Sequence, residues 1–367
     1  MSKTIYLDAP NVGKLEKQYL NKAIDTGYVS TIGPFVPEFE EKFANYLGIK
    51  KAVSTQSGTA AIHMALYELG IGPGDEVIVP ALTFIATVNP VLYVGAKPVF
   101  ADVDINTWNI SPDEIEKKVT KRTKAIIPVH LYGNPCEMDV IMKIAKKHHL
   151  FVIEDATESL GATYKEKYTG TFGDLGCFSF NGNKIITTGG GGMIVGNKTR
   201  RLDHIKFLVN QARDDSTNYY HSEVGFNYRM TNIEAALGLA QLSRLPDLLM
   251  KKKTLFKIYQ EKFRGIEHLH FQKTHVNSQS SYWLICIMFE DKRVNVAKLQ
   301  EGLKKESIPS RRVFMPLTEF APYRNYRQSD LKNSYYIFYN SLCLPSSTIN
   351  SLTSISKVCK VIKGIIK

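Results

Sequence analysis

KAVSTQSGTAAIHMALYELGIGPGDEVIVP, residues 51–80, begins an alternation of short apolar runs with segments of helical period. KAVST has the length and composition of a strand, and the following segment places Ala61, Ala65 and Leu69 on one face of a helix. The alternation persists to about residue 200. It predicts further strands in DEVIVPAL, KPVFADVD, KAIIPVHLYG and LFVIEDA, and further helices in FIATVNPVLYVG, SPDEIEKKVT and MDVIMKIAKKHH.

Strands that alternate with helices in this way predict right-handed crossovers and a mostly parallel sheet covered by helices. The pattern changes near Thr231, where TNIE has the form of a capping box and Pro246 is placed to begin a second long helix. Farther on, SYWLICIMF has the appearance of an isolated strand. We therefore predict a large α/β domain over residues 1–245 and a smaller α+β domain over residues 246–367.

The composition is that of a globular protein. Of the 367 residues 44% are apolar and 22% are charged, which excludes disordered and fibrous classes. No apolar run approaches the ~20 residues of a membrane helix, and the first residues lack the apolar stretch of a signal peptide. Five scattered cysteines, without a CxxC pair, argue for a reducing compartment and against structural zinc. We expect a cytoplasmic protein without a membrane segment.

The chain is basic, with 47 Lys and Arg against 35 Asp and Glu, or a formal net charge of +12. Such a field suits nucleic acid, a membrane surface or a small polyanion. The lysines are dispersed, however, over segments such as KKVTKRTK, KKKTLFK and LKKES. We interpret them as solvated helix faces and turns rather than a nucleic-acid groove, and expect a phosphorylated ligand to use part of the charge.

Ser57-Gly58-Thr59-Ala60 lies between the first predicted strand and its helix. A glycine there lets a ligand approach the backbone, and the start of a helix offers free N–H groups at its positive end. The segment therefore predicts an anion site. By itself it is equally typical of an ordinary helix cap.

Ile153-Glu154-Asp155 carries an apolar strand directly into two acids. Asp155 should therefore lie at the carboxyl end of the strand, where open α/β sheets bind ligands. A carboxylate at that place can hold a metal, a ribose or a heterocyclic nitrogen. The alternative is the N-cap of the next helix.

Cys177–Gly192, CFSFNGNKIITTGGGG, contains a single lysine, Lys184, between an aromatic strand and four glycines. A lysine among desolvating neighbours can lose its proton near neutral pH and form a Schiff base with an aldehyde. The glycines would let the backbone pass close to a flat ring. The alternative is a flexible loop.

An amine, a strand-end acid and a helix-start anion site together meet the requirements of pyridoxal 5'-phosphate (PLP). The aldehyde needs the amine, the phosphate needs N–H donors, and the ring nitrogen needs an acid that keeps it protonated. An aromatic residue should also cover the ring, and Phe84, which follows a predicted strand, is the candidate. Its alternative is a core aromatic.

Further segments extend this pattern over essentially the whole chain: TGYVSTIGPFVPEFEEKFANYLG, SGTAAIHMAL, VPALTFIATVNPVLYVGAKPVFADVD, PVHLYGNPCEMD, EDATESLGA, FSFNGNKIITTGGGGM and GFNYRMTNIEAALG. Together they resemble the DegT/StrS-type family of fold-type I PLP enzymes, the nucleotide-sugar aminotransferases. TGYVSTIG and FNGNKIITTGGGG are most similar to the branch that makes 4-amino-4,6-dideoxy-N-acetylhexosamines for legionaminic acid and N-acetylbacillosamine.

The resemblance implies specific roles for residues of the large domain. Lys184 would bind the cofactor aldehyde and shuttle protons, and Asp155 would pair with the ring nitrogen. Glu158 stands where many relatives have Gln or His near the ring's phenolic oxygen, so we predict a raised pKa for this carboxyl. The phosphate would be held by Gly58, Thr59 and Ser179.

The resemblance also implies an active site shared across a homodimer. Asn227 would reach the phosphate bound to the neighbouring subunit, with Arg229 as the alternative for that contact. His130 would lie near the ring or the substrate, unless it is a satisfied core histidine. One departure is Pro316-Leu-Thr318, where relatives often have Pro-Leu-His near the sugar nucleotide.

The activity implied is transfer of the amino group of L-glutamate to a keto-sugar nucleotide, with UDP-4-keto-6-deoxy-N-acetylhexosamine as the expected acceptor. The product would serve surface glycan synthesis. One alternative is a sugar dehydratase of the same fold, but those relatives have a histidine in place of the lysine. Another is a non-catalytic regulator or nucleic-acid binder, which no basic stripe with interleaved aromatics supports.

Overall fold

A seven-stranded sheet forms the centre of the computed structural model, which describes residues 4–215, 217–290, 294–327 and 330–366. The spatial order of its strands is β1-β7-β6-β5-β4-β2-β3. Only β7 is antiparallel to its neighbours in this sheet, so the predicted mostly parallel sheet is confirmed. The strands are β1 (Lys51–Thr55), β2 (Glu76–Pro80), β3 (Lys97–Ala101), β4 (Thr123–Ile126), β5 (Phe151–Asp155), β6 (Leu175–Ser179) and β7 (Gly192–Gly196).

Helices surround this sheet and a second, smaller one. The α-helices are α1 (Lys14–Asp25), α2 (Phe35–Leu47), α3 (Gly58–Glu68), α4 (Asn89–Tyr93), α5 (Pro112–Lys118), α6 (Met138–His148), α7 (Thr199–Leu208), α8 (Asn232–Ser243), α9 (Leu245–Phe263), α10 (Val296–Lys305), α11 (Lys332–Asn340) and α12 (Leu352–Ile365). The short 3-10 helices are Ile85–Thr87, Leu131–Gly133, Leu317–Glu319 and Ala321–Tyr326.

Both faces of the large sheet are buried. Val53 of β1 and Ile194 of β7 pack with α3 and α7, whereas Ala52 and Val195 pack with α2 and α8 on the opposite face. This follows from the two-residue period of a strand. Because neither face meets water, the strands read as almost continuous apolar runs in the sequence.

Two elements differ from the sequence prediction, and in both cases a proline is the reason. One predicted helix is divided in two, and one predicted strand ends early. Residues 84–95 form a 3-10 turn and the short helix α4 instead of one helix, since Pro90 has no N–H for a continuous ladder. Residues 124–133 were predicted as one strand, but β4 ends at Ile126, ahead of Pro128. Tyr132 beyond it has a left-handed backbone with φ 56°.

The C-terminal part contains a four-stranded antiparallel sheet in the order β8-β9-β11-β10. SYWLICIMF does not form an isolated strand, because β9 pairs on both sides, with β8 and with β11. Helices α9, α10 and α12 share a core with this sheet. Its strands are β8 (Leu269–Phe271), β9 (Ile285–Phe289), β10 (Arg311–Arg312) and β11 (Ser341–Leu344).

Helix α9 contributes to two cores. Leu245 and Leu248 at its start pack with the large sheet, whereas Leu255 and Tyr259 pack with the four-stranded sheet. The domain boundary at residue 245 therefore stays a prediction. The capping box predicted ahead of α8 is confirmed: the Glu234 N–H donates to Thr231 Oγ1 at 3.3 Å, and the Thr231 N–H donates to Glu234 Oε2 at 2.8 Å.

Short strands complete the described structure. They form a three-stranded sheet from Thr163–Tyr164, Lys167–Tyr168 and Ser278–Gln279, and a hairpin from Arg213–Asp215 and Tyr220–His221. In the ranges that the structure describes, no helix has both the length and the apolar character needed to span a bilayer.

An N-terminal clamp, defined as residues 5–11, fastens the start of the chain to the turn that follows β11. The Ser346 N–H donates to the Leu7 carbonyl at 2.6 Å, and Ser347 Oγ donates to the Ala9 carbonyl at 2.7 Å. Between these two contacts lies Asp8, which accepts a hydrogen bond from Asn183 Nδ2 at 3.0 Å. The clamp therefore brings an acidic side chain next to Lys184.

Candidate active site

One cavity of about 360 Å³ gathers most of the predicted site residues. It lies at the carboxyl ends of β1, β5 and β6, the edge at which open α/β sheets bind ligands. Lys184 and Asp155 line the same cavity, as a single molecule held between them requires. Gly58, Thr59, Phe84, Glu158 and Ser179 also line it.

The start of α3 forms the anion-binding wall. Ser57 caps the helix, with its Oγ accepting the Ala60 N–H at 3.1 Å, while the N–H groups of Gly58 and Thr59 have no acceptor within the helix. A Cβ added to Gly58 would lie 2.8 Å from the Ser179 Cβ. Glycine therefore lets the positive end of the helix approach β6 closely, which suits a phosphate.

Asp155 is a fixed carboxylate with 2% of its surface exposed. Its Oδ2 accepts the Thr87 hydroxyl at 2.7 Å, and its Oδ1 accepts the Thr157 N–H at 3.1 Å. Thr87 in turn lies 2.9 Å from the hydroxyl oxygen of Thr83. Because the proton of Thr87 is used toward Asp155, the proton between the two hydroxyls comes from Thr83.

Glu154, the other acid of this strand end, is structural. Its carboxylate accepts the N–H groups of Gly170 and Gly173 at 2.8 and 2.7 Å, and it lies 3.0 Å from His130 Nε2. His130 is fully buried, and its Nδ1 accepts the Cys136 N–H at 3.0 Å, so Nε2 carries the proton toward Glu154. The expectation that His130 lies near the ring or substrate is wrong, and the core-histidine alternative holds.

Lys184 lies deep in the cavity with 13% of its side chain exposed. Its Nζ is 3.9 Å from Glu158 Oε1 and 4.0 Å from the centroid of the Trp283 ring. Burial lowers the pKa of Lys184, and the charges of Glu158 and Asp155 oppose that shift. A larger fraction of this amine is therefore unprotonated and nucleophilic near neutral pH than of a surface lysine.

Glu158 lies beside the lysine in a dry environment. Burial raises the pKa of Glu158 to about 7, although the charge of Lys184 and the Tyr132 N–H act in the opposite direction. That N–H donates to Glu158 Oε2 at 2.7 Å. The rise in pKa predicted from the sequence is confirmed, and its main cause is desolvation.

Phe84 stands at the cavity mouth with 52% of its surface exposed. Its ring centroid is 5.6 Å from that of Phe314. The alternative of a core aromatic is therefore wrong. A half-exposed ring in the cavity that Asp155 also lines is suited to cover a flat cofactor.

Asn227 is exposed and does not line the cavity of its own chain. Arg229 is partly buried, and its Nε has no hydrogen-bond partner in the described part of the chain. Their expected contact with a neighbouring subunit stays a prediction. Thr318, at the departure from the relatives' Pro-Leu-His, is buried and pairs with the Tyr335 hydroxyl at 3.4 Å.

Sequence reasoning missed three cavity residues that come from the C-terminal part: Trp283, Arg311 and Phe314. Arg311 Nη1 is 3.9 Å from Asp8 Oδ2, and within the described residues its Nε and Nη2 have no hydrogen-bond partner. None of the three lies in a recognisable motif. The scarcity of tryptophan, two in the chain, does not distinguish Trp283 as a site residue.

These residues fit PLP by the chemistry of their donor sets. The helix start supplies unpaired N–H groups for a phosphate, Asp155 supplies a fixed carboxylate for the ring nitrogen, and Lys184 supplies a desolvated amine for the aldehyde. The close approach of Gly58 to Ser179 leaves the backbone accessible to such a ligand.

Comparisons with known proteins agree with this chemistry. Residues 10–363 match the model of the DegT/DnrJ/EryC1/StrS aminotransferase family. The GDP-perosamine synthase of Caulobacter vibrioides is 42% identical, with 93% of each chain covered. The structure of Spr1654 from Streptococcus pneumoniae in its PMP form has a TM-score of 0.94 at 27% identity and covers 99% of this chain and 98% of its own.

A third comparison concerns Helicobacter pylori PseC, an aminotransferase involved in the biosynthesis of pseudoaminic acid. It has a TM-score of 0.94 at 27% identity, with 99% of both chains covered. These relatives do not confirm the legionaminic acid and N-acetylbacillosamine branch, which stays a prediction. They do establish the wider group: the chain belongs to the DegT/DnrJ/EryC1/StrS family of PLP-dependent sugar aminotransferases.

Proposed function

We propose that this enzyme transfers the amino group of L-glutamate to a nucleotide-linked 4-keto-6-deoxy sugar, giving a 4-amino-4,6-dideoxy sugar for surface glycans. The observation that carries the proposal is the single cavity in which the desolvated amine of Lys184 faces the Asp155 carboxylate and the anion-binding start of α3. A sugar dehydratase is disfavoured because Lys184 occupies the position at which those relatives have a histidine.

The predicted site residues have separate tasks in this reaction. Gly58, Thr59 and Ser179 hold the phosphate, and Asp155 holds a proton on the ring nitrogen. When bound, PLP supplies the electron sink that makes the α-proton of an amino acid acidic. Lys184 Nζ removes that proton from the donor, and in the second half-reaction it delivers a proton to the sugar carbon that receives nitrogen.

Glu158 adds a hydrogen-bond donor beside the lysine. Because burial raises its pKa to about 7, this carboxyl is neutral in slightly acidic solution. Its Oε2 accepts the Tyr132 N–H, so the acidic proton resides on Oε1, the oxygen nearer Lys184. A neutral Glu158 can therefore donate to an oxygen in the cavity, as Gln or His would.

Arg311 supports an acidic amino donor. Its Nε and Nη2 lack partners among the described residues, and Asp8 is its nearest counter-charge at 3.9 Å. A guanidinium with unused N–H groups binds a carboxylate in a bidentate manner. We therefore assign Arg311 to a carboxylate of glutamate.

Two acceptors have separate support. The 42% identity to a GDP-perosamine synthase favours a GDP-linked 4-keto-6-deoxy hexose. The segments TGYVSTIG and FNGNKIITTGGGG favour UDP-4-keto-6-deoxy-N-acetylhexosamine. Both acceptors present a ketone at the same ring position, so the cofactor chemistry is common to them.

A homodimer with shared sites is part of the proposal. An aromatic surface next to the anion-binding wall supports it. Tyr93, Phe226 and Tyr228 pack around His63, and Tyr67 packs against Phe226. Tyr93 is largely exposed. Asn227 lies within this surface and is exposed. We propose that a second copy covers this surface and places its own Asn227 at the phosphate.

We also propose a cytoplasmic location. All five cysteines are buried and unpaired thiols, which persist in a reducing compartment.

The test is incubation of the purified enzyme with L-glutamate and a panel of GDP- and UDP-linked keto sugars, with mass spectrometry of the products. An amino sugar and 2-oxoglutarate should form from at least one 4-keto-6-deoxy substrate, and Lys184→Ala should form neither. Turnover by Lys184→Ala, or a dehydrated product without incorporated nitrogen, would contradict the proposal.

A further inference from the structure

Lys252, in the middle of α9, is buried with 4% of its surface exposed. The sequence predicted a solvated face for KKKTLFK, and for this lysine the prediction is wrong. Its Nζ donates to the Trp283 carbonyl at 2.8 Å and to the Ser346 carbonyl at 2.6 Å. Among the described residues no carboxylate forms an ion pair with it. A lysine is rarely buried without such a partner.

The two carbonyls belong to segments that flank the paired strands β9 and β11, whose ladder ends at Ile285 and Leu344, and the Ile285 N–H also donates to Ser346 Oγ at 2.9 Å. Trp283 lies just before β9, and Ser346 follows β11 and holds the N-terminal clamp through Leu7. If Lys252 were replaced by an apolar residue, each of these two buried carbonyls would lose the hydrogen bond that Lys252 Nζ donates to it. The side chain therefore joins α9 to both segments.

Trp283 connects this junction to the catalytic lysine. Its indole Nε1 donates to the carbonyl of Asn183 at 2.7 Å, the residue that precedes Lys184. Its ring face is 4.0 Å from Lys184 Nζ. The backbone carbonyl of Trp283 is thus held by Lys252, while its side chain contacts the turn and the amine of Lys184.

We propose that Lys252 is a positioning residue that acts through Trp283 to fix the position and orientation of the Lys184 side chain in the cavity. The proposal rests on the catalytic role given to Lys184 above. This role explains why a lysine, and not an apolar residue, is buried at position 252 next to Trp283. A change at Lys252 should therefore alter the chemistry at Lys184 without contacting any substrate.

The hydrogen bonds of Lys252 suit both of its protonation states. Burial lowers the pKa of Lys252 to about 7, yet a neutral amine keeps two N–H donors, one for each carbonyl. The contact to Trp283 therefore persists on both sides of this pKa. Positioning should not be lost when Lys252 itself is deprotonated.

The test compares Lys252→Met with a matched control, Tyr259→Phe. Tyr259 lies on the same helix, is buried, and donates to the carbonyl of Pro345, next to Ser346, at 3.0 Å. Both changes remove buried hydrogen bonds to the same turn, and only Lys252→Met removes the one to Trp283. We expect kcat to fall about tenfold in Lys252→Met with KM little changed, and to stay within about twofold in Tyr259→Phe.

A double-mutant cycle with Trp283→Leu separates positioning from general destabilisation. If Lys252 acts through Trp283, adding Lys252→Met to Trp283→Leu should change kcat by less than about twofold. An undiminished tenfold effect in that background, or an equal loss in Tyr259→Phe, would overturn the proposal. If Lys252→Met does not fold, Lys252→Gln, which keeps one donor group, replaces it in the double-mutant cycle with Trp283→Leu.

A second readout does not depend on the identity of the donor or sugar. The visible absorption of the PLP-loaded protein should titrate with a midpoint displaced by about half a pH unit or more in Lys252→Met, because the setting of Lys184 changes. The midpoint should be unchanged in Tyr259→Phe. A displaced midpoint without turnover of any sugar would refute only the proposed substrate, whereas equal midpoints would refute the positioning role.

Discussion

Glu158 Oε1 lies 3.9 Å from Lys184 Nζ, while the other oxygen of the same carboxyl accepts the Tyr132 N–H. The pKa of Glu158, raised by burial to about 7, and the pKa of Lys184, lowered by burial, therefore approach each other from opposite sides. Burial thus brings the proton affinities of the two groups closer together than those of an exposed glutamate and an exposed lysine.

The first prediction follows for Glu158→Gln. In the wild type the carboxyl loses its donor proton as pH rises through about 7, so kcat should fall between pH 6 and 8. Glutamine keeps an N–H donor over that whole range, and the variant should lack this decline while retaining kcat within about fivefold at pH 6. The measurement is the pH profile of kcat for both proteins, and a shared decline near pH 7 would contradict the assignment.

Thr87→Val tests the support of Asp155. The change removes a hydroxyl that donates to the carboxylate at 2.7 Å, and hydrogen bonds to charged groups contribute about 1.5–3 kcal/mol. We expect PLP affinity to fall roughly 10- to 100-fold, measured by titration of the cofactor-free protein. Thr83→Val, which removes only the outer hydroxyl at 2.9 Å, should have a smaller effect, and equal effects would argue against this arrangement.

Gly58→Ala tests the close approach of helix and strand. Its Cβ would lie 2.8 Å from the Ser179 Cβ and 3.1 Å from the Thr157 Cγ2, so the start of α3 must move away from the phosphate position. PLP affinity should fall about 100-fold or more. Gly182→Ala is the matched control, because nothing lies within 4 Å of a Cβ there. An unchanged affinity in Gly58→Ala would place the phosphate elsewhere.

Mixed dimers test the shared site. Lys184→Ala homodimers should be inactive, and Asn227→Ala homodimers should be weakly active at limiting PLP. If Asn227 serves the partner's site, random mixing of the two variants creates one intact site in half of the dimers, or about a quarter of wild-type activity. Activity of the mixture equal to the average of the separate homodimers would show that Asn227 serves its own chain or no site.

Lys252 should leave a signature in stability. Its pKa is about 7 in the folded protein because of burial, against an ordinary 10.5. Between these values the unfolded chain binds a proton that the folded chain does not, so this group makes the free energy of unfolding rise with pH, by up to about 1.4 kcal/mol per unit. Urea denaturation at pH 7, 8 and 9 should show the wild type gaining stability relative to Lys252→Met, and a constant difference would refute the lowered pKa.

The large sheet was predictable because its strands are buried on both faces and so leave continuous apolar runs. Asp155 and Gly58 were predictable for a related reason: ligands bind where such strands end and helices begin. Pro90 and Pro128 show the limit of this reasoning. The pattern of apolar residues predicted a continuous helix and a continuous strand there, but a proline has no backbone N–H to continue the hydrogen bonds.

The contribution of the C-terminal part of the chain was not predictable. Arg311 belongs to a strand of two residues, Arg311–Arg312, which is too short for any period. Trp283 reaches Lys184 only through tertiary contacts. Lys252 stands among neighbouring lysines in KKKT, and nothing in that run distinguishes the one that is buried.

The N-terminal clamp has a practical consequence for protein engineering. Leu7 and Ala9 are hydrogen-bonded to the turn after β11, and Asp8 contacts Asn183, which lies 175 positions away along the chain. Removing residues beyond Ile5 would therefore loosen the neighbourhood of Lys184. Purification handles and fusion partners are therefore better attached behind α12, where they exert no pull on that contact.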